Sequence, residues 1–195
     1  CTNFRFINNT INHTNDNVLT MASEYSGALI QGNTIRNSGV QVGMGGSGVD
    51  NYSNYCGLQS SLCSNVIFEY NSVVNTGYNA ITFSGGNGCI ARYNYVDSFC
   101  TVKQDGSGIY TIGPSSLTGS KILYNIVRNG IGSNDGTYNP NNDPPVAHGI
   151  YLDEAASNIE VGNNTCENIA HSGLYIHNGN LNVNAHDNTL YNNYY

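Results

Sequence analysis

Val66-Ile67-Phe68-Glu69-Tyr70-Asn71-Ser72-Val73-Val74-Asn75 runs as an apolar alternation, an Asn, a small residue, another apolar residue and a second Asn. Six further stretches superimpose on it: Phe4 to Ile11, Ala28 to Asn37, Cys89 to Val96, Ser120 to Asn129, Ile159 to Asn168 and Val183 to Asn192. The anchors Asn9, Asn33, Asn71, Asn94, Asn125, Asn164 and Asn188 lie 24, 38, 23, 31, 39 and 24 residues apart. The base unit is therefore about 24 residues with three insertions, a period that marks a solenoid. Positions five and three before each anchor are small or apolar (Val66 and Phe68 in this copy), and the position two after it is apolar again (Val73). A period of two predicts strands with one buried face.

A unit this short cannot bury its own apolar face, so the core must close by stacking. Stacked coils bring each anchor Asn over the next at about 4.8 Å, where side-chain amides bond to one another as a ladder. Asn also tolerates the left-handed backbone of a sharp turn. The second column, Asn37, Asn75, Asn129, Asn168 and Asn192, predicts another ladder one turn later. Ladders account for an Asn content of 33 in 195 residues without invoking chemistry. The expected fold is all-β: one right-handed parallel β-helix over residues 1–195, of about seven coils. The pattern begins and ends without a recognisable amphipathic cap, which predicts a piece of a longer chain or a subunit that associates end to end.

Six Lys and Arg stand against 13 Asp and Glu, a formal charge of -7. Nucleic acid is disfavoured as a partner because no basic patch can neutralise phosphates. No apolar run reaches the ~18 residues of a membrane span. Neutral or cationic glycans fit this balance better than polyanions. The even count of six Cys, the Asn, Gly and Tyr content, and sequons at Asn8, Asn12, Asn51 and Asn163 suit an extracellular protein. Cys56 and Cys63, in one insertion, are the expected disulfide pair; Cys89 and Cys166 fall on inward columns as buried thiols.

A further strand in each unit starts at a small turn residue: Asn17, Gly39, Asn79, Gly108, Gly149 and Gly173. Alternation places Val18, Val40, Ala80, Ile109, Ile150 and Leu174 inward, and Leu19, Gln41, Ile81, Tyr110, Tyr151 and Tyr175 outward. The next outward column is Met21, Gly43, Phe83, Ile112, Asp153 and His177. Tyr110, Tyr151 and Tyr175 thus stack on consecutive coils, Asp153 and His177 are neighbours, and Asp105, Ser107, His148, His171 and Ser172 lie just upstream. An aromatic row flanked by carboxylates and imidazoles suits stacking on sugar rings. It equally suits a cross-strand row that only stabilises the sheet.

The insertions at 43–64, about 97–107 and 130–147 are where a rigid repeat carries a site. Tyr110, Tyr151, Tyr175 and Asp143 are the expected substrate-binding residues, and Asp153, His177, Asp105 and His148 the expected catalytic ones. Glycoside hydrolysis needs two carboxyl groups about 5 to 9.5 Å apart. Asp153 and Glu154 face opposite sides of a strand, and Asp105 and Asp153 are seven positions apart, roughly 20 Å on a straight strand. A dyad therefore requires Asp105, Asp135 or Asp143 to fold back towards Asp153. Lyase chemistry requires a cation beside a substrate carboxylate, but of the outward pair Arg92 and Lys121, Lys121 faces Glu160 and reads as half of an ion pair. Oxygen donors of the Asp143 loop are candidate Ca²⁺ ligands without an EF-hand spacing; no zinc spacing is present, and no other cofactor is implied.

Gly108-Ile-Tyr-Thr111, His148-Gly-Ile-Tyr-Leu-Asp-Glu154 and Ser172-Gly-Leu-Tyr-Ile-His-Asn178, each followed by the Asn-anchored strand, resemble the secreted right-handed parallel β-helix repeat proteins of polysaccharide-degrading bacteria, in the pectate-lyase-like superfamily. The resemblance covers nearly the whole chain. It implies a secreted, polysaccharide-active glycoside hydrolase or lyase, or else a structural or adhesive subunit of an extracellular assembly. The paired aspartates of polygalacturonases and the Lys and Arg pattern of alginate and chondroitin lyases have no recognisable counterpart here.

Overall fold

The structure is a computed structural model that describes residues 2–22, 25–43, 54–113, 117–136 and 144–194. Asp143 and the Asn51 sequon lie outside the described residues. Among the described residues twenty strands, numbered in chain order, form three parallel sheets. The first holds β1 (Arg5–Ile7), β4 (Leu29–Gln31), β7 (Ile67–Glu69), β10 (Ile90–Arg92), β13 (Ser120–Leu123), β16 (Ile159–Gly162) and β19 (Val183–His186). The second holds β2 (Thr10–Thr14), β5 (Thr34–Ser38), β8 (Ser72–Thr76), β11 (Tyr95–Phe99), β14 (Ile126–Gly130), β17 (Thr165–Ile169) and β20 (Thr189–Tyr191). The third holds β3 (Leu19–Ala22), β6 (Leu58–Ser61), β9 (Ile81–Ser84), β12 (Gly106–Ile112), β15 (Ala147–Asp153) and β18 (Leu174–Ile176). The chain is a right-handed parallel β-helix, and Phe68, Val73, Ile109, Ile122 and Val161 are among the fully buried side chains between its sheets.

A two-residue turn joins the first strand of each coil to the second, and the anchor Asn is its second residue. The amide of Asn71 shows how the ladder works. Its Nδ2 donates to Asn94 Oδ1 (2.9 Å) and Ile30 O (2.9 Å), and its Oδ1 accepts from Asn33 N (3.0 Å) and Asn33 Nδ2 (2.9 Å). The amide–amide contacts continue unbroken from Asn9 to Asn188 at 2.9 to 3.0 Å. Asn33, Asn71, Asn94, Asn125 and Asn164 are buried, with all four bonding positions of each amide used inside the fold.

The left-handed backbone falls one residue earlier than expected, on Asn8, Gly32, Tyr70, Tyr93, Tyr124, Asn163 and Asp187. The anchors are held by their side chains, not by a special φ. The second Asn column does adopt positive φ, from 50° at Asn192 to 62° at Asn75. Its ladder is interrupted: Asn75 donates to Asn37 (2.7 Å), but Asn129 donates to Asp97 (2.8 Å) because Ser98 stands where the next Asn would be.

Two expectations fail on the third sheet. Residues 39–42 are not a strand; the second coil's third strand is β6, so the insertion precedes the strand and ends at Gly57. Register also slips by one residue in the first and third coils. Leu19, Leu58, Ile81, Ile109, Ile150 and Leu174 form one inward column, and Thr20, Gln59, Thr82, Tyr110, Tyr151 and Tyr175 the outward one. Ile81, Met21 and Phe83, expected outside, are therefore buried at 0%, 3% and 0% exposure. Strand faces alternate at every residue, so an offset of one exchanges core and surface.

The expected Cys56–Cys63 disulfide does not form. Both thiols are buried and free, as are Cys89, Cys100 and Cys166. The four residues of β6 lie between Cys56 and Cys63. At about 3.3 Å each they hold the two Cα atoms farther apart than the roughly 7 Å a disulfide spans. Burial pushes the Cys56 thiol up to about 12 and the Cys89 thiol to about 11.

Candidate functional site

The outward face of the third sheet carries a cleft of about 510 Å³. Its geometry begins with a corner. The successive amides Gly57 N and Leu58 N both donate to the following coil (3.0 and 2.9 Å), as do Gly149 N and Ile150 N (2.8 and 2.9 Å). On a flat strand successive N–H groups point to opposite sides. The backbone therefore turns at the column Gly57, Ala80, Gly108, Gly149 and Gly173. Small residues are needed because a Cβ on Gly108 would collide with Val127 and one on Gly149 with Cys166.

The corner changes the separation of the aspartates. Asp105, at φ 58°, sits on the turn entering β12, its amide bonded to Val146 O (2.9 Å) and its carbonyl to Tyr78 Oη (2.9 Å). Asp153 ends β15. Seven register positions separate them, yet both line the cleft, since the chain between is bent and not extended.

Asp153 is held from several sides. Tyr110 Oη donates to Oδ2 (2.7 Å), Glu154 N donates to Oδ1 (2.8 Å), and His177 Nδ1 lies 2.8 Å from Oδ1. Burial alone would raise its pKa, but the hydrogen bonds from Tyr110, the Glu154 amide, His177 and Tyr151 outweigh that and lower it. Asp105 shifts the other way. It stands on the rim, open to water on one side. Enclosure on the other side, and then the Asp153 carboxylate, raise its pKa, with His177 opposing.

Tyr110, Tyr151 and His177 also line the cleft. The tyrosines align in register but do not form a flat stack: Tyr110 and Tyr151 meet edge-on (5.4 Å, 89°), and Tyr151 and Tyr175 are tilted (5.0 Å, 45°). Tyr151 is buried at 4% exposure, and Tyr175 lies outside the cleft lining. His148 is likewise outside it, 2% exposed beneath Tyr175 (4.4 Å, 18°) and against His171 (4.9 Å). Burial, then the neighbouring His171, lowers its pKa to about 3, so the ring is neutral and its Nδ1 has no hydrogen-bond partner. His171 is occupied by Ser172 Oγ (2.7 Å).

Two ion pairs stand apart from the cleft, Lys121 with Glu160 (2.7 Å), as expected, and Arg92 with Glu69 (2.7 Å). Among the described residues no Lys or Arg lines the cleft, and no three His, Cys, Asp or Glu side chains converge as a metal site. A flat aromatic stack does exist elsewhere. Tyr70, Tyr93 and Tyr124, half exposed, stack at 5.1 Å with interplanar angles of 11° and 13°. Their signal is legible, since each directly precedes an anchor Asn. No protein-family model matches the chain, and neither the curated proteins nor the solved structures contain a significant match.

Proposed function

We propose that the protein is a glycoside hydrolase whose polysaccharide substrate lies in the cleft on the third sheet. One observation carries this reading: Asp105 and Asp153 share the cleft, and their surroundings move their pKa values in opposite directions. Hydrolysis of a glycosidic bond uses such a division, with one carboxyl kept protonated as the acid and the other kept ionised. In this reading Asp105 gives its proton to the glycosidic oxygen as the C–O bond breaks. Asp153 holds His177 through Nδ1, and the free Nε2 takes a proton from the water whose hydroxyl bonds to the anomeric carbon. The proton on His177 returns to Asp105 through solvent, which restores the starting state. No cofactor enters the reaction.

A lyase is the weaker alternative because β-elimination next to a carboxylate calls for a cation at that carboxylate, and among the described residues no Lys or Arg lines the cleft. The resemblance to secreted polysaccharide-degrading β-helix proteins supports both the substrate class and an extracellular location. Incubation with a panel of neutral, amino and acidic glycans, followed by assay of new reducing ends, tests the reading. Asp153→Asn and Asp105→Asn are each expected to lower the rate at least about a hundredfold. Unchanged rates would remove these residues from the chemistry. A wild-type protein that cleaves nothing leaves a non-catalytic β-helix that binds or assembles.

A further inference from the structure

Asp105, Asp153 and Glu154 all line the cleft: β15 ends at Asp153, so the strand alternation expected to part Asp153 from Glu154 does not extend to Glu154, and among the described residues no Lys or Arg joins them. His177 is engaged by Asp153 at 2.8 Å. The ammonium of Lys103 packs over the ring of Tyr78 (4.7 Å), but Lys103 is 3% exposed and lies behind that wall. Hydrolysis accounts for Asp105 and Asp153. Glu154 remains: it is exposed, its backbone is held through its amide on Asp153 and its carbonyl on Gly113 N (3.0 Å), and among the described residues no ion pair engages its carboxyl.

The rest of the lining is built to meet a polar ligand. Thr82 is 5% exposed in the middle of the outward column, and its Oγ1 reaches no protein oxygen or nitrogen, only the weakly hydrogen-bonding Cys56 thiol. Gln59 is held by Asn17 (3.0 Å), and Asn79 by the Ser107 amide (2.7 Å), so both amide side chains are fixed in orientation at the cleft. Hydroxyl-bearing sugars match such donors and acceptors.

We propose that the substrate is a cationic amino-sugar polymer, a glucosamine-type glycan, with Glu154 as the group that pairs with the ring ammonium. This rests on the hydrolase reading of the cleft. With Asp105 protonated as the acid, Asp153 and Glu154 remain as carboxylates, and with no Lys or Arg among the described lining residues they concentrate positive ligands; a uronate chain would instead set like charges together.

The test compares hydrolysis of three hexasaccharides, of glucosamine, glucose and galacturonate, by the wild-type protein and by Glu154→Gln, at low and high salt. Glucosamine is expected to be cleaved fastest. Glu154→Gln is expected to narrow the glucosamine-to-glucose rate ratio about threefold to tenfold, and salt to narrow it in the wild type by screening. Glucose or galacturonate hexasaccharide cleaved as fast as glucosamine, or a ratio that neither salt nor Glu154→Gln alters, would overturn the substrate class and leave the hydrolase standing. Cleavage of none of the three, with no binding by calorimetry, would overturn both.

Discussion

Tyr110 Oη donates a 2.7 Å hydrogen bond to Asp153 Oδ2 diagonally across neighbouring coils, joining the fourth coil to the fifth within the cleft. The contact gives Tyr110 a role in setting the charge of the carboxylate as well as in covering the sheet. Tyr110→Phe keeps the ring and removes the donor. The Asp153 pKa is then expected to rise, and the acid limb of the pH–rate profile to move to higher pH, with little change in melting temperature. A pH–rate profile of the variant that overlays the wild type would separate Tyr110 from the chemistry.

Asn71→Ala removes an interior rung of the buried ladder and strands Asn33 N, Asn33 Nδ2 and the Ile30 carbonyl. Unsatisfied buried groups cost about 1–3 kcal/mol each before relaxation, so a loss of roughly 3 kcal/mol is expected by urea denaturation. The exposed Asn192→Ala, at the end of the second ladder, is expected to cost much less.

His148 predicts a specific acid sensitivity. Its folded pKa, about 3, lies below the ordinary 6.5, so between these values the unfolded chain binds a proton that the native state refuses. Stability is therefore lost as pH falls from about 6.5 towards 3, at up to about 1.4 kcal/mol per pH unit. His148→Phe preserves the packing under Tyr175 and is expected to flatten this slope in equilibrium unfolding measured from pH 7 to pH 4. A wild-type slope retained in the variant would assign the acid sensitivity to other groups.

The thiols give a fourth expectation. Cys56, Cys63, Cys89, Cys100 and Cys166 are free and buried. Labelling by a thiol reagent at neutral pH is expected to be slow in the native state and complete in denaturant, and melting should not depend on reductant. A Cys56–Cys63 crosslink found by mass spectrometry would contradict the β6 register.

The coil count, the first two sheets and the main ladder were legible because the same two-residue turn ends on Asn9, Asn33, Asn71, Asn94, Asn125, Asn164 and Asn188, with no insertion between the two strands it joins. Loops of different length precede the third strand, so its start had no fixed ruler. Ile81 was accordingly read one place out of step, and β6 was missed because the insertion was drawn through residue 64 and covered it. Tyr110, Tyr151, Asp153 and His177 were placed correctly, since coils four to six share the Gly-Ile-Tyr or Gly-Leu-Tyr start that sets their alternation.

By itself, then, the sequence determined a solenoid and its repeating strands, because a side-chain period and a stacked amide are local properties that recur at every coil. Only the tertiary structure decided which polar groups share a cleft. The corner at Gly108 and Gly149 brings Asp105 to the same space as Asp153, and the packing of Tyr175 over His148 removes that imidazole from it. Both depend on how the backbone bends and on what lies on the next coil, contacts between residues about 24 to 48 positions apart that no local pattern encodes.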